Sequence, residues 1–286
     1  MRYEFMAAHE SEYGVKQMCQ AMKVGRSGYY AWRKRPASQR EKENQELVEK
    51  IRSEYQNSRQ SYGSPRIHAV LQRQGTSCGR KRVARLMRSQ GIAARKRRKR
   101  VPMTTQRQPG AVPAPNVLNQ DFSATDPNQK WVADITYIDT AEGWLYLALI
   151  LDLYSRRVVG WAMADHMESA LVELALQMAL GRRQPVAGFL HHSDQGRQYT
   201  SSSYQLQLQQ QDCRISMSRV GNCYDNAVME SFFSTLKNEC ATGQFINHAQ
   251  ARRVIFEYIE VWYNRQRLHS SLGYLSPTEF EEKTGK

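Results

Sequence analysis

The sequence predicts an α/β domain, a mixed sheet flanked by helices, preceded by an all-α basic region. Three observations support this fold class. Residues 1–120 hold 26 Lys and Arg against 8 acids, whereas residues 121–286 hold 15 against 19. The segments between residues 131 and 163 are apolar, rich in β-branched and aromatic residues and of strand length. Beyond them, helical and strand patterns alternate, which is typical of layered α/β folds.

The charge of the chain indicates a polyanionic partner, because the pI is about 9.7 and the formal net charge is +14. The positive excess lies in residues 1–120, so that region is expected to neutralise phosphates. No run approaches the roughly 18 apolar residues of a membrane span, and the N-terminus lacks the apolar core of a signal peptide. We therefore expect a cytoplasmic protein with no membrane partner. The cysteines form no CxxC pair, which predicts free thiols and argues against structural zinc: Cys19, Cys78, Cys213, Cys223 and Cys240.

A first pair of short helices is predicted within residues 10–35. Apolar residues recur at helical spacing from Val15 to Met22, Gly25 interrupts the pattern, and Ser27 is a candidate cap for the second helix. One interpretation is a DNA-binding helix-turn-helix. The other is a small helical pair with a solvated basic face, and the residues favour neither.

A second helix pair, within YGSPRIHAVLQRQGTSCGRKRVARLMRSQGI, is the stronger helix-turn-helix candidate. A charged helix over 41–56 precedes it, and Ser64 and Pro65 are typical of a helix start. The run RKRRKR follows; such runs are usually solvated tails, but beside a basic helix we interpret it as a phosphate contact. The expected DNA contacts are Arg80, Lys81, Arg82, Arg85, Arg88, Arg95, Lys96, Arg97, Arg98, Lys99 and Arg100.

The predicted organisation has three parts: a helical DNA-binding region at 1–100, a Pro-rich extended linker at 101–120, and an α/β domain at 121–286. In the last part the predicted strands are 131–139, 143–152, 156–163, 188–192 and 213–218. The predicted helices are 168–181, 201–212, 224–241 and 248–265.

Three carboxylates of the α/β domain stand in unusual surroundings. Asp134 interrupts the apolar strand WVADITYI, where a buried charge is costly unless it is paired, hydrogen-bonded or bound to a metal. Asp194 ends the fourth strand, and Glu230 lies on an amphipathic helix, on the same side as Ser234 and Lys237 and away from the apolar stripe. If the first strand is central and the fourth lies beside it, Asp134 and Asp194 point into one crevice. Clustered carboxylates repel one another, and magnesium or manganese ions relieve that repulsion.

Other acids compete with this trio when only the residues are considered. Asp139 and Asp152 stand at strand ends that suit turns, and Asp225 suits a helix N-cap. His191 and His192 lie close to Asp194, so a His–Asp metal site and a supporting or substrate-contacting role are both open.

Five long motifs carry a resemblance to a known family. They are NQKWVADITYI, LDLYSRRVVGW, HHSDQGRQYTS, GNCYDNAVMESFFSTLKNE and YNRQRLHSSLGYLSPTEF. This domain resembles the catalytic domain of DDE transposases and retroviral-type integrases, in particular the OrfB product of the insertion sequence 3 family. Thirty-five residues separate Asp194 from Glu230, the separation that these proteins share. YGSPRIHAVLQRQG resembles their helix-turn-helix-like segment, so the resemblance covers nearly the whole chain. Unlike integrases, the chain has no zinc-binding His–His–Cys–Cys motif in front.

The resemblance implies a ribonuclease H-like fold and a catalytic, metal-binding triad of Asp134, Asp194 and Glu230 with two Mg²⁺ or Mn²⁺ ions. The implied contacts to DNA near the scissile phosphate are Lys237, His191 and His192. The implied reaction is phosphoryl transfer: hydrolysis of one strand at the element's end, then attack by the freed 3′-hydroxyl, with a first joining step that yields a circular intermediate.

The resemblance also implies the partners. These are double-stranded DNA carrying the terminal inverted repeats, target DNA, an upstream OrfA-type product as fusion or separate chain, and further copies in a homodimer or higher oligomer on DNA. The protein would be cytoplasmic and associated with the bacterial nucleoid when bound. Two alternatives stand beside this transposase. One is a DNA-binding regulator that is catalytically silent without its fusion partner. The other is a ribonuclease acting on RNA–DNA hybrids, against which the basic helix pairs argue.

Overall fold

A computed structural model describes residues 2–36, 38–95, 113–219 and 221–285. The chain divides into two units, Met1–Ile51 and Arg52–Lys286. Among the described helices, none has the length and apolar character needed to cross a membrane.

The first unit is helical, as predicted. Its core comprises Met6, Met18, Cys19 and Tyr29. Ser27 is not the cap of the second predicted helix, because that helix begins at Arg26 and its N-cap is Gly25, which offers no side-chain hydrogen bond. The helices are α1 (Arg2–Ala8), α2 (Val15–Ala21), α3 (Arg26–Lys34) and α4 (Gln39–Asn57), of which α4 continues into the second unit.

The second helix pair consists of α5 (Ser64–Arg73) and α6 (Arg80–Ser89). Gly63 takes the N-cap position and Pro65 the first turn, so Ser64 already belongs to α5 and is not its cap. The two helices bury five apolar residues: Ile67, Leu71, Val83, Leu86 and Met87.

A five-stranded mixed sheet with the order β3-β2-β1-β4-β5 forms the α/β part of the second unit. Its strands are β1 (Lys130–Thr140), β2 (Gly143–Asp152), β3 (Val158–Ala164), β4 (Leu190–Ser193) and β5 (Arg214–Met217). Strand β1 pairs antiparallel with β2 and parallel with β4. The predicted central position of the first strand, with the fourth beside it, is confirmed.

Helices flank the sheet: α7 (Ser169–Arg183), α8 (Ser202–Gln210), α9 (Ala227–Glu239), α10 (His248–Phe256) and α11 (Pro277–Thr284). A 3₁₀ turn, Cys223–Asn226, precedes α9, and a π-helical segment, Glu257–Tyr263, continues α10. Helix α7 packs closely on β3 at Gly160. A Cβ at Gly160 would lie 2.2 Å from the Ala175 carbonyl oxygen, so only glycine fits there.

A buried ionic cluster anchors the C-terminal helix to the sheet domain. Glu281 accepts hydrogen bonds from Ser155 Oγ (2.7 Å), Arg157 Nη1 (2.6 Å) and Arg183 Nη2 (2.8 Å). Such a cluster is stable because each buried charge has several partners. The end of α11 is thereby held against the turn after β2.

The region predicted as a linker falls partly outside the described residues, which resume at residue 113. From there the chain is held against the sheet domain. Leu118 is buried, and the backbone N–H groups of Val117 and Leu118 both donate to Ser216 Oγ, at 2.9 and 3.0 Å. Residues 113–120 are therefore part of the packed domain.

Candidate active site

Asp134 and Asp194 lie level with each other on neighbouring strands. In the parallel pairing of β1 with β4, Val132 is the partner of His192. Asp134 and Asp194 each follow two residues later, so both carboxylates emerge at the same end of β4. Sheet topology, and not proximity in the sequence, brings them together.

The surroundings of the Asp134 carboxyl disfavour its negative charge. Burial raises its pKa well above the ordinary value, and the neighbouring Asp194 carboxylate raises it further, with a smaller contribution from Glu230. The Ile135 N–H donates to Asp134 Oδ1 at 2.8 Å, and this bond and the Lys237 ammonium partly offset the effect. The three predicted carboxylates therefore share one electrostatic neighbourhood, with Lys237 beside it.

A tight turn fixes Asp194. The Gly196 N–H donates to Asp194 Oδ1 at 2.9 Å. A Cβ at position 196 would stand 2.9 Å from that same oxygen, so glycine allows this close approach. Gln195 Nε2 donates to the Ser218 carbonyl at 2.7 Å and ties the turn to the end of β5.

Glu230 lies in the first turn of α9, on the side that the periodicity predicted. The apolar stripe of α9 is buried, whereas Glu230 is exposed, and partial burial raises the pKa of its carboxyl. Asn226 Nδ2 donates to the Ala133 carbonyl at 3.3 Å. This bond joins the start of α9 to the residue before Asp134, and sequence reasoning missed it because Asn226 and Ala133 are 93 residues apart.

Asp225, a rival candidate in the sequence, has a structural role. Its buried carboxylate accepts from the Arg219 side chain (2.8 and 3.0 Å), from the Arg219 N–H (2.8 Å), from Asn116 Nδ2 (2.8 Å) and from Gln120 Nε2 (2.9 Å). The Arg219 hydrogen bonds in particular hold the pKa of this carboxyl well below its usual range. With its acceptor positions filled, Asp225 fastens the loop before α9 to residues 116–120.

The other two rivals are also explained by structure. Asp152 is buried and accepts from the Asn128 and Tyr154 N–H groups, at 2.8 and 3.0 Å. Asp139 accepts from Gln244 Nε2 at 3.1 Å, near the hairpin end of β1.

His191 and His192 are fully buried, so the expectation that they contact DNA is wrong for this structure. Polar residues at a strand end resemble surface residues in a sequence, but β4 is covered on both faces. His191 Nε2 is hydrogen-bonded to the Tyr204 hydroxyl at 3.0 Å. Burial lowers the pKa of His191 to about 3 and that of His192 to about 4, so both rings are neutral.

The His192 ring links β4 to β5. Its Nδ1 lies 2.8 Å from Ser216 Oγ and its Nε2 lies 3.0 Å from Ser218 Oγ. Since Ser216 Oγ already accepts two backbone N–H groups, its own O–H donates to Nδ1, and Nε2–H donates to Ser218. Both histidines support the strand that ends at Asp194.

The basic residues predicted to contact DNA are those of α6 and those of the chain segment 95–100 that follows it. Arg82 is half-buried on α6, whereas Arg95 is exposed and donates to Gln60 Oε1 at 3.3 Å. The remaining side chains of the α6 set are exposed: Arg80, Lys81, Arg85 and Arg88. Lys96, Arg97, Arg98, Lys99 and Arg100 lie outside the described residues.

The donor chemistry of the site suits a hard divalent cation. Carboxylate oxygens are the ligands that magnesium and manganese prefer, and a cation between Asp134 and Asp194 would relieve the repulsion that raises the pKa of Asp134. Across the described ranges, no three or more His, Cys, Asp or Glu side chains are already gathered closely enough to enclose an ion. The residues therefore fit a site with two level carboxylates and a third on an adjoining helix.

Comparisons with known proteins agree with this architecture. Residues 42–100 match the family described as HTH-like domain, and residues 124–223 and 211–277 match families described as Integrase core domain. The chain is 45% identical over 286 residues to transposase InsF of insertion sequence IS3A from Escherichia coli K12, covering 99% of each chain. It is 46% identical over 267 residues to an insertion element IS600 31 kDa protein from Shigella sonnei, covering 93% of this chain and 98% of that one.

Two solved structures of retroviral origin align with part of the chain. A chain of the simian T-cell lymphotropic virus intasome aligns with a TM-score of 0.45 and 14% identity, covering 74% of this chain and 69% of that one. The HTLV-2 integrase catalytic core aligns with a TM-score of 0.42 and 14% identity, covering 55% of this chain and 99% of that one.

Full-length identity to an insertion-sequence transposase, together with the helix-turn-helix-like and integrase-core matches, favours a transposase over the regulator and over the ribonuclease. The predicted mixed sheet with flanking helices is confirmed. The chain belongs to the insertion sequence 3 family of DDE transposases, polynucleotidyl transferases that act on DNA with an integrase core.

Proposed function

We propose that Asp134, Asp194 and Glu230 are the catalytic carboxylates of this transposase. The observation that carries the proposal is the level placement of Asp134 and Asp194 at the end of β4, with mutual repulsion and Glu230 in the same electrostatic neighbourhood. Asp152 and Asp225 use their carboxylates in hydrogen bonds that hold the fold, which supports Asp134, Asp194 and Glu230 as the catalytic set.

We propose that the three carboxylates hold divalent cations, Mg²⁺ or Mn²⁺, and that two ions are used. When bound, such ions activate an attacking oxygen and stabilise a leaving oxygen at phosphorus. Asp134 offers a ligand on a rigid central strand, and Asp194 offers one on a turn that Gly196 holds in place. Glu230 lies on the exposed side of α9 and completes the set.

Lys237 is proposed to contact DNA beside the reacting phosphate. It lies in the last turn of α9, and its ammonium is near enough to Asp134 to lower the pKa of that carboxyl. Once cations occupy the carboxylate site, the positive charge of Lys237 favours a phosphate. Asn226 and Asp225 take positioning roles, because they fix the helix that carries Glu230 and Lys237.

We further propose that the enzyme hydrolyses one strand at the element's end and that the freed 3′-hydroxyl then attacks a phosphate to join DNA, first linking the two ends into a circle. The helical regions within residues 1–100 would bind the terminal inverted repeats. Two ends must meet, so at least a dimer forms on DNA. An upstream OrfA-type product acts as fusion or partner, and the complex lies in the bacterial cytoplasm on the nucleoid. The helix-turn-helix-like match at residues 42–100 and the exposed basic side of α6 support the DNA-binding part.

Substitution of the three carboxylates tests this proposal. Asp134→Asn, Asp194→Asn and Glu230→Gln each remove a charge with little change of volume, so each should abolish magnesium-dependent cleavage and joining of DNA that carries the element's ends. Binding of the same DNA should remain near the wild-type affinity. Asp139→Asn is the matched control and should retain activity. Near wild-type joining by any of the three variants would remove that residue from the catalytic set.

A further inference from the structure

Four residues just before and along α5 contact the C-terminal part of the same unit. Arg59, Tyr62, Arg66 and Arg73 all bond to groups within residues 257–279. We call these four residues the docking strip. They lie in the region matched to the HTH-like domain, whereas their partners follow the integrase core strands along the chain.

The centre of the docking strip is well buried. Tyr62 is 2% exposed, and its hydroxyl oxygen accepts the Leu268 N–H at 2.7 Å. Arg66 Nε donates to the Leu268 carbonyl at 3.0 Å, so both main-chain groups of one residue are satisfied by the helical region. The Tyr62 ring lies 5.9 Å from the Trp262 ring, and the Arg66 guanidinium lies 5.5 Å from the centre of the Tyr62 ring. These contacts combine apolar burial with specific hydrogen bonds.

Charged pairs flank this centre. Arg59 Nη2 donates to Glu257 Oε1 at 2.8 Å, and its guanidinium lies 5.8 Å from the centre of the Tyr258 ring. At the other end, Arg73 forms an ion pair with Glu279. The strip therefore extends along the whole of α5 and contacts several turns of the C-terminal segment.

The arginines of the docking strip bond to other residues of the protein, whereas the exposed basic side chains of α6 do not. Within the part of the chain that the structure describes, the exposed side chains of Arg80, Lys81, Arg85 and Arg88 bond to no other residue. The basic charge of the helix pair is therefore divided. One set holds the pair on the integrase core, and the other set remains available for phosphates.

We propose that the docking strip fixes the α5–α6 pair on the integrase core, so that α6 presents its basic side at a set distance from the carboxylate site. The position of the cut relative to the bound DNA sequence is then determined by this docking and not by the length of the connection through residues 101–112. This inference goes beyond the assignment of the carboxylates, and its second test rests on their proposed activity.

Hydrogen exchange on the full chain tests the docking without catalysis. Tyr62→Phe keeps the ring but removes the oxygen that accepts the Leu268 N–H, so exchange of that amide should rise roughly tenfold, with increased exchange along α5. Tyr55→Phe is the matched control, because the Tyr55 hydroxyl donates to the Ala93 carbonyl (2.7 Å) within the helical region. It should leave Leu268 unchanged. Wild-type exchange at Leu268 in both Tyr62→Phe and Arg66→Met would overturn the docking.

The second test maps the cut on duplex DNA that carries the terminal sequences flanking the gene. Tyr62→Phe and Arg66→Met should spread the cut over neighbouring positions, whereas Arg85→Ala should weaken binding but keep a single position. A four-residue Gly–Ser insertion after Thr105 should also keep it. The proposal is contradicted if the insertion moves the position of the cut. It is also contradicted if Tyr62→Phe or Arg66→Met raises amide exchange at Leu268 but still cuts at a single position. Because the exchange readout needs no catalysis, failure of the docking and failure of the carboxylate assignment are distinguishable.

Discussion

The Asn226 side chain donates to the Ala133 carbonyl at 3.3 Å and so connects the helix that carries Glu230 to the strand that carries Asp134. Asn226 is 7% exposed and lies at the N-cap position of α9, one turn before Glu230. Two of the three carboxylates are set by the parallel pairing of β1 and β4, but the third depends on where α9 begins. The bond from Asn226 to Ala133 fixes the start of α9 relative to β1.

Asn226→Ala should therefore impair catalysis through the placement of Glu230. We expect joining to slow by about 10–100-fold and the magnesium concentration for half-maximal rate to rise, with DNA affinity unchanged. Asn222→Ala is the control, because Asn222 Oδ1 accepts the nearby Tyr224 N–H (3.1 Å) in the preceding turn and does not reach β1. An Asn226→Ala enzyme with a normal magnesium titration would show that the bond has no positioning role.

Lys237 provides a prediction about charge beside the carboxylates. Lys237→Ala should slow joining most strongly when DNA is limiting, because a phosphate contact is lost, and thermal stability should hardly change. Lys237→Arg should retain part of the rate, since the charge is kept while its geometry differs. The comparison requires rates at limiting and saturating end DNA. A wild-type rate for Lys237→Ala at limiting DNA would identify the lysine as a surface residue without a role in the reaction.

The pair Glu239–Arg267 predicts a large loss of stability. Arg267 binds both carboxylate oxygens of Glu239, at 2.7–3.0 Å, and both side chains are 5% exposed. Arg267→Met leaves a buried carboxylate whose remaining donors among the described residues are the Tyr258 hydroxyl and the Trp262 indole. The free energy of unfolding, measured in urea, should therefore fall by about 3–5 kcal/mol. Glu239→Gln combined with Arg267→Met should recover much of that loss. A double variant no more stable than Arg267→Met would contradict this account.

His191 predicts a pH dependence of stability. Burial, and to a lesser extent His192, lower its pKa from 6.5 to about 3, so the fold favours the neutral ring. The fold is therefore not penalised by this histidine above about pH 6.5. Below that pH the free energy of unfolding falls by up to roughly 1.4 kcal/mol per pH unit, because the unfolded state binds the proton more readily. His191→Gln keeps an acceptor near the Tyr204 hydroxyl and removes the titration. In urea unfolding at pH 7, 6 and 5, the free energy of unfolding should therefore decrease less with falling pH for the variant than for the wild type. An equal decrease for both proteins would show that His191 does not cause this pH dependence.

The sequence predicts most of the fold because the elements carry strong local patterns. The strand WVADITYI and the stripe of α9 from Met229 to Leu236 are recognisable from periodicity alone. Asp134 stands out because a carboxylate breaks an apolar strand. The motif resemblance then selects Asp194 and Glu230 from several acids that local chemistry alone does not separate.

Other features depend on contacts between distant residues and leave no local signal. The burial of His191 follows from Tyr204 and the neighbouring strands, and nothing in HHSDQG distinguishes it from a surface histidine. In the same way, Arg66 and Arg85 are both arginines in a basic region. Only the fold shows that the first bonds to Leu268, 202 residues away, while the second is exposed.

Iron-mediated cleavage of the protein backbone shows whether Asp134, Asp194 and Glu230 form one cation site. Ferrous ion replaces magnesium, and ascorbate with peroxide generates hydroxyl radicals at the bound ion, so the chain is cut beside its ligands. We expect cuts next to residues 134, 194 and 230 that magnesium suppresses and that Asp134→Asn removes together. Cuts clustered instead around Asp139, Asp152 or Asp225, or cuts that persist in Asp134→Asn, would rule out a shared cation site at these three carboxylates.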